Sequence, residues 1–445
     1  MREQANIEQY TNKTSNPGES AKIRLKHLAQ INPTKSEVSN LEPDTEVSFV
    51  ALENFGTDGD IKDSESRKLG KVYDGYTYFR EGDIAIAKIT PSFENGKGAI
   101  CRGLKNDIGF GTTELHVLRP RKGVSTEYLW YLLRSKPFMD EARTMMRGVA
   151  GQQRVPSEFL ESYCVPCYEL KKQDRIAGFL KSRIDCIDTI LEKNEEISKV
   201  LKEKDGSMTT HAITGGLHTG EKTEINFPWI DSIPTHWDMI PLKYASPEVT
   251  VGIVHQPSKY YSSNGVPGLR SLNVGRNELR EDELVYINEP DGKSLEKSRV
   301  FAGDLITVRS GDPGRTTVVP ERFSGSQCVD LLIIRDPTHF LSEYLSYAMN
   351  SEICRRQFQI GTEGAAQKHF NVGDAKELLI PRPPIKEQEG LVKKIKSDKN
   401  TLHRCQSYIS ETNELLREKR QALITAAVTG QIDVADARGV AQELD

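Results

Sequence analysis

The chain repeats itself in a single register. Sliding the sequence by 215 positions without a gap brings Gln152 onto Gln367, Pro166 onto Pro381, Gln173 onto Gln388, Ile187 onto Leu402, Glu203 and Lys204 onto Glu418 and Lys419, and Thr214 and Gly215 onto Thr429 and Gly430. The copies run from Gln152 to Leu217 and from Gln367 to Ile432. In each, a proline-bearing strand end leads into a long charged segment with apolar residues at every seventh position, the pattern of a packed helical stripe. The first line is Leu180, Ile187, Asn194, Leu201 and Met208, flanked by Ile184, Ile190, Leu191 and Ile197; the second is Ile395, Leu402, Ile409, Leu416 and Leu423. Neither segment has an internal proline, Gly206 weakens the first near its end, and Gly215 and Gly430 suit the left-handed position that closes a helix. About 38 residues per segment predict a rod of roughly 57 Å. Two such rods pack most simply on each other; the alternative is that each stripe docks on a globular core.

The repeat extends into what precedes each rod, at slightly different offsets. Ile23, Leu25 and Lys26 match Ile240, Leu242 and Lys243; Ser48–Asn54 matches Pro267–Asn273; Phe79–Ile89 matches Val300–Ser310; Gly111–Pro120 matches Ser326–Pro337; Glu127–Ser135 matches Glu343–Ser351. Strand-like apolar runs bounded by turn residues, with one short helical pattern, predict an α+β head in each half, with shared strands and private loops. The predicted order is a polar tail (1–20), a first head (21–168), a first helix (169–214), a crossover (215–236), a second head (237–383), a second helix (384–430) and a tail (431–445). Trp229 and Trp237 are the expected packing anchors of the crossover. Two variable heads on two equal rods imply a pseudo-twofold molecule, and DNA, with its own local dyads, is a ligand that such a molecule can read.

Composition narrows the function by exclusion. With 37% hydrophobic residues and a mean hydropathy of -0.53, no run approaches the roughly 18 to 20 apolar residues of a membrane span, and the first residues lack a signal-peptide core. A cytoplasmic protein is expected. Seven scattered cysteines suit a reducing compartment. Cys164 and Cys167 form a CxxC, but the repeat puts Leu379 and Arg382 in their places, so no metal ligand is assigned. The net charge of -4 means that any nucleic-acid contact must come from a local patch. Catalytic motifs are not found. Asn95–Gly98 has the Gly-Lys of a phosphate loop without its upstream glycine or its following Ser or Thr, Ser310–Thr316 reads as a turn, and His211, His218 and His369 read as surface or cap residues. No Asn-Pro-Pro-Tyr-type loop of an adenine methyltransferase occurs, so no catalytic residue is assigned.

The run QKHFNVGDAKELLIPRPPIKEQ from Gln367 to Gln388, followed by a long helix, resembles the shared region of type I restriction-modification specificity subunits. The first copy keeps Gln152, Pro166 and Gln173 but has Cys167 and Tyr168 where the second has Arg382 and Pro383. The resemblance implies two similar α/β target recognition domains, each followed by a long helix, with the helices forming an antiparallel coiled coil. It also implies double-stranded DNA as ligand and a non-catalytic role. The implied partners are modification subunits, two of them expected, that use S-adenosylmethionine, and restriction subunits that use ATP and magnesium, with no cofactor held by this chain. DNA contacts are expected from the loops between shared strands: Arg67, Lys68, Lys71, Tyr78, Lys88, Ser92, Asn95 and Lys97 in the first head, and Arg270, Ser271, Asn273, Arg276, Arg309, Ser310, Arg315 and Thr316 in the second. Lys88 and Arg309 share a repeat position. Two rival readings are a protein-binding adaptor with two heads on a coiled-coil spacer, and a recognition subunit of a related system with a different nuclease arrangement. Gene neighbourhood separates them.

Overall fold

Both periodic segments are helices, Leu170–Ile213 with 44 residues and Ile385–Thr429 with 45. They belong to a computed structural model that describes residues 22–149, 151–288, 295–362 and 370–434. The polar N-terminal tail, Gln367, His369 and the C-terminal tail beyond residue 434 lie outside the described residues. No described helix is long and apolar enough to cross a membrane.

The two helices stop in the same way. Gly215 and Gly430 both take φ +77°, and the next residue closes a six-to-one bond back into the helix: Gly216 N donates to His211 O at 2.8 Å and Gln431 N to Ala426 O at 2.9 Å. This is the Schellman cap, which needs a left-handed residue and so favours glycine. The space is closed too, because a Cβ would stand 2.3 Å from Pro234 Cδ at Gly215 and 2.5 Å from the Tyr168 hydroxyl at Gly430.

They also start in the same way, on the repeated glutamine. Gln173 Oε1 accepts from Ser125 N at 2.9 Å while its amide donates to Tyr168 O at 2.7 Å. Gln388 Oε1 accepts from Leu341 N at 2.8 Å while its amide donates to His339 O and Pro383 O at 2.9 and 2.8 Å. Ser125 and Leu341 are the residues just ahead of the short head helices Thr126–Leu132 and Ser342–Asn350. One amide therefore ties the foot of each long helix to the start of a head helix.

The chain divides into two compact units: the described residues up to Asn194 with those from Glu411, and Glu195–Ser410. The boundary cuts both long helices, so each unit holds one head, the first half of its own helix and the last half of the other. In the first unit Ile176, Ala177, Leu180 and Ile184 from one helix, and Ile424, Ala427 and Val428 from the other, enter the core formed by Tyr128, Leu129 and Phe138. In the second, Leu391, Val392 and Ile395 join Ala212 and Ile213 around Tyr344 and Leu345. Both readings of the stripe thus hold at once, since the helix halves pack on a head and on each other. Within the first unit Asp188 pairs with Arg420 at 3.2 Å and Asn194 Nδ2 donates to Asn413 Oδ1 at 2.7 Å, so one helix rises as the other falls. An amide pair at a seam position favours one register over others. Within the second unit Asp205 lies 3.5 Å from Lys399.

Leu180, Ile187, Ile395 and Leu402 are buried, and Leu201, Ile409 and Leu416 are half-buried. Ile190 and Ile197, read as flanks of the stripe, are instead 41% and 48% exposed. The seam is the narrow one of a helix pair, and these two residues sit one position outside it. Trp237 is buried, as an anchor should be, whereas Trp229 is 39% exposed and carries Arg356 over its ring at 5.9 Å.

Each head is built from two four-stranded sheets. In the first head, Ala29–Ile31, Leu115–Pro120, Ile84–Ala87 and Gly98–Ile100 form one antiparallel sheet; in the second, Glu248–Val251, Leu331–Arg335, Leu305–Val308 and Thr316–Val318 do the same. The other sheets share a parallel pair, Glu46–Val50 with Ile108–Gly111 and Val266–Leu269 with Gln327–Cys328, which is central in the first head and lies at the sheet edge in the second. A two-stranded clasp, Lys22–Arg24 with Cys164–Pro166 or Asp238–Pro241 with Leu379–Arg382, joins the start of each head to its end.

Candidate nucleic-acid interface

In each head a residue at or just past the end of the head helix holds the turn joining the third and fourth strands of the antiparallel sheet, residues 88–97 or 309–315, or the strand residue that closes it. Arg134, at the end of the first head helix, donates Nη1 to Gly96 O and Nη2 to Thr57 O, and its guanidinium lies 4.7 Å from the Trp130 ring centre. Burial, the largest influence, lowers its pKa to about 10. Asn350 occupies the same place in the second head, where its amide donates to Thr316 O at 2.7 Å and accepts from Thr316 N at 3.1 Å. The matched segments Glu127–Ser135 and Glu343–Ser351 put Arg134 opposite Asn350. A tether to the turn is therefore conserved in place between the heads and changed in chemistry.

The long helices reach this tether from below. Gln421 Nε2 donates to Arg134 O at 2.8 Å, and Lys136 N donates to Thr425 Oγ1 at 3.1 Å. In the second unit Glu352 N donates to Thr210 Oγ1 at 3.0 Å, and Thr210 lies 215 positions before Thr425. The next helix of each head, Lys136–Thr144 or Glu352–Thr362, thus begins on a threonine from the far half of the other head's long helix.

Lys88 and Arg309 begin the two turns with the same backbone bonds, Val155 N to Lys88 O and Phe370 N to Arg309 O, both at 2.9 Å. Both cations face an acid at one repeat position. Arg309 lies 3.6 Å from Asp330, and Lys88 acts on Glu114, which Arg154 holds bidentately at 2.8 and 2.9 Å. The hydrogen bond from Arg154, ahead of burial, leaves the Glu114 carboxyl below its ordinary pKa.

In the first turn Phe93 is buried as a peg, Asn95 is exposed, and Ser92 and Lys97 are half-exposed. Arg67, Lys68 and Lys71 lie on the other sheet, on the outer strand Glu65–Lys68 and the short helix after it. Arg67 is occupied by Glu65 at 2.7 Å and by the Phe49 ring at 3.7 Å, Lys68 pairs with Asp44 at 2.8 Å, and Lys71 is exposed.

The second head draws its candidates closer together. Arg315 Nη2 donates to Ser271 O at 3.3 Å, Ser310 Oγ donates to Asp330 at 3.0 Å, and Val329 N bonds Leu269 O beside Arg270. Asn277 N bonds Thr316 O, bringing exposed Arg276 to the same end. The Nε–H groups of Arg270 and Arg309 are buried without a hydrogen-bond acceptor among the described residues, and that of Arg315 lies 3.4 Å from Asp312 Oδ2. Arg276 also lines a cleft of about 740 Å³ with Arg355, Arg356, Asn350 and Lys202.

Three expected contacts are buried structural groups instead. Tyr78 is in the strand Thr77–Arg80 and donates its hydroxyl to Glu37 at 3.2 Å. Asn273, fully buried, accepts from Arg270 N and donates to Arg280 O and Asp282 O. Thr316, also fully buried, shares a 2.8 Å hydroxyl bond with Thr307. The sequence reading missed Arg134, Asn350, Arg355 and Arg356. The signal was present for the first two, as a polar residue ending an apolar helix in both copies.

Comparison with known proteins falls on the same plan. Residues 17–199 match the type I restriction modification DNA specificity domain. The chain is 45% identical over 158 residues to the specificity subunit of the type I restriction enzyme EcoEI and 46% over 154 residues to that of EcoAI, both from Escherichia coli. These matches cover 35% and 34% of this chain, and the chain spans only 26% of the length of either relative. Against the putative type I restriction enzyme MjaX specificity subunit of Methanocaldococcus jannaschii it is 24% identical, over 87% of this chain and 85% of that one. The HsdS subunit from Thermoanaerobacter tengcongensis superposes with a TM-score of 0.60 at 17% identity, covering 95% of this chain and 99% of that one. A chain from a structure describing complex assembly and conformational transition of the type I R-M system gives 0.73 at 17% identity, covering 94% of this chain and all of that one. The chain shares the fold of these subunits, and the resemblance read from its repeat is borne out: it resembles a type I restriction-modification specificity subunit, with residues 17–199 matching that family's DNA specificity domain.

Proposed function

We propose that this chain is the sequence-specific DNA-recognition subunit of a type I restriction-modification complex, each head reading one half of a bipartite target. One observation carries the reading. The two units repeat their glutamine hub, helix cap and threonine contact, while the turns hung on that frame differ in length, sequence and tether. A frame kept while its turns diverge is what two different half-sites require. Lys88, Ser92, Asn95 and Lys97 in one head, and Arg270, Ser271, Arg276, Arg309, Ser310 and Arg315 in the other, are the side chains proposed to meet phosphates and base edges.

The chain would supply no catalytic group. Modification subunits would methylate adenine with S-adenosylmethionine, restriction subunits would translocate and cut with ATP and magnesium, and the complex would work in the cytoplasm. The test replaces residues 22–154 with the equivalent head of a relative, in cells carrying the modification subunits, and reads methylated adenines across the genome. One half of the methylated motif should change and the other should stay. A change in both halves, or in neither, refutes the assignment of one half-site to each head.

A further inference from the structure

The second unit brings together three side chains that the sequence keeps far apart. His218 follows the cap of the first long helix, His236 follows the strand Ile230–Pro234, and Glu387 lies in the first turn of the second long helix. One ligand atom from each lies within 4.8 Å of the other two. His236 Nε2 is 2.8 Å from Glu387 Oε2, and the two imidazole rings are 4.9 Å apart, centre to centre.

We propose that His218, His236 and Glu387 bind a divalent transition-metal ion, with zinc the best match, and that the ion clips the crossover to the foot of the second long helix. Two imidazoles and one carboxylate form an established zinc donor set, with bonds of about 2.0–2.2 Å and ligand atoms about 3.4 Å apart around a tetrahedral ion. The present separations bracket that value. His236 and Glu387 need to part slightly to admit the ion, and half-buried His218 would complete the set from within 4.8 Å. The fourth position would hold water.

The surroundings are arranged as they are around a built ligand set. Trp237, itself buried, donates Nε1–H to Glu387 Oε2 at 3.0 Å, fixing the carboxylate as outer partners of metal ligands do. Gln388, the next residue, is the fully buried hub, so the backbone carrying Glu387 cannot drift. Behind His218, Gly215 is closed against Pro234. The site is private to this unit, because Lys172 stands at the repeat position of Glu387. Sequence reading had no signal for it, since His218, His236 and Glu387 fit no spaced motif.

The test uses the purified full chain after dialysis against chelator. Calorimetric titration with zinc chloride should show one saturable site, weakened about tenfold or more in His218→Ala and in Glu387→Gln, and unchanged in His211→Ala, a nearby exposed histidine outside the set. Cobalt(II) should give visible bands without the thiolate absorption that exposed Cys164, Cys186 or Cys405 would add. Zinc should also raise the unfolding temperature of the unchanged chain and not of His218→Gln. Uptake that survives His218→Ala, uptake with a thiolate spectrum, or no saturable uptake overturns the proposal.

Discussion

Replacing Gln388 with alanine puts the shared frame to a quantitative test. The side chain is fully buried and satisfies three backbone groups at once: it accepts from Leu341 N and donates to His339 O and Pro383 O, all within 2.9 Å. Truncation leaves those groups without partners, at about 1–3 kcal/mol for each that water cannot reach. Some relaxation and entry of one water make about 3–5 kcal/mol the expected loss, large for a point mutation. Against a typical domain stability of about 5–15 kcal/mol, the second unit would be left marginal. Gln173→Ala should cost the first unit somewhat less, because its third contact, to Gly123 O, is stretched to 3.5 Å. Gln388→Glu is the sharper variant. It keeps the shape but turns a carboxylate toward two carbonyl oxygens, so it should be worse than alanine at neutral pH and recover on acidification as the protonated acid regains one donor. Hydrogen exchange resolves the units separately, and the alanine variant should lower protection in the second unit's core strands by about a hundredfold or more. A loss below about 1 kcal/mol, or equal losses in both units from the Gln388 variant alone, would refute the account of this amide as the local tie.

Three further outcomes follow from named contacts. On the proposed function, Arg134→Ala, which frees Gly96 O and Thr57 O and unstacks Trp130, should lower methylation of the bipartite target by tenfold or more, about 1.4 kcal/mol of lost turn order, with the sequence requirement relaxed in the first half-site only, and sequencing of methylated sites against wild type checks it. Gly215→Ala and Gly430→Ala each force a left-handed alanine at about 1–2 kcal/mol plus a clash; adding Tyr168→Phe should restore part of the Gly430 loss in thermal unfolding, whereas no such relief exists beside Pro234. His116 is buried, its Nε2–H donating to Val155 O and its Nδ1 accepting from Asn32, and burial above all lowers its pKa below the usual 6.5. The folded unit therefore resists taking up a proton that the unfolded chain accepts, so stability is full above about pH 6.5 and declines as the pH falls toward the lowered folded value; a first unit whose unfolding midpoint has the same pH slope in His116→Gln would contradict this.

The frame was legible because it is written twice. A sixty-residue register cannot be kept by chance, and most of the residues it singled out serve the frame: Gln173 and Gln388 as hubs, Gly215 and Gly430 as caps, Leu180, Ile187, Ile395 and Leu402 at buried seam positions. The exchange of helix halves between units was not legible. A seven-residue stripe reports that a face is buried and not what covers it, so head and neighbouring helix could not be told apart. The exposed flanks Ile190 and Ile197 show the same limit, since near-seam apolar residues read alike whether or not they reach the partner.

The candidate interface was read less well, for a physical reason that the repeat itself exposes. Asn and Thr in turns serve the chain's own backbone as readily as a ligand, and so Asn273 and Thr316, chosen as contacts, are buried in internal hydrogen bonds. Comparing the copies by contact separates the two uses better than residue type does. Where position and chemistry both persist, as for the glutamines and Thr210 with Thr425, the residue belongs to the frame. Where the position persists and the chemistry changes, the residue stands between frame and loop: Arg134 and Asn350 hold different turns from one helix end, and Lys88 and Arg309 offer different cations against Glu114 and Asp330. Lysine is a point charge suited to phosphate, while arginine has a planar fork suited to a base edge or to bidentate phosphate contact. If the heads read different half-sites, Arg309→Lys should relax discrimination in one half-site with modest loss of binding, whereas Lys88→Arg should leave the other half-site's sequence unaltered; the reverse assignment of effects would place base reading in the first turn and simple phosphate contact in the second.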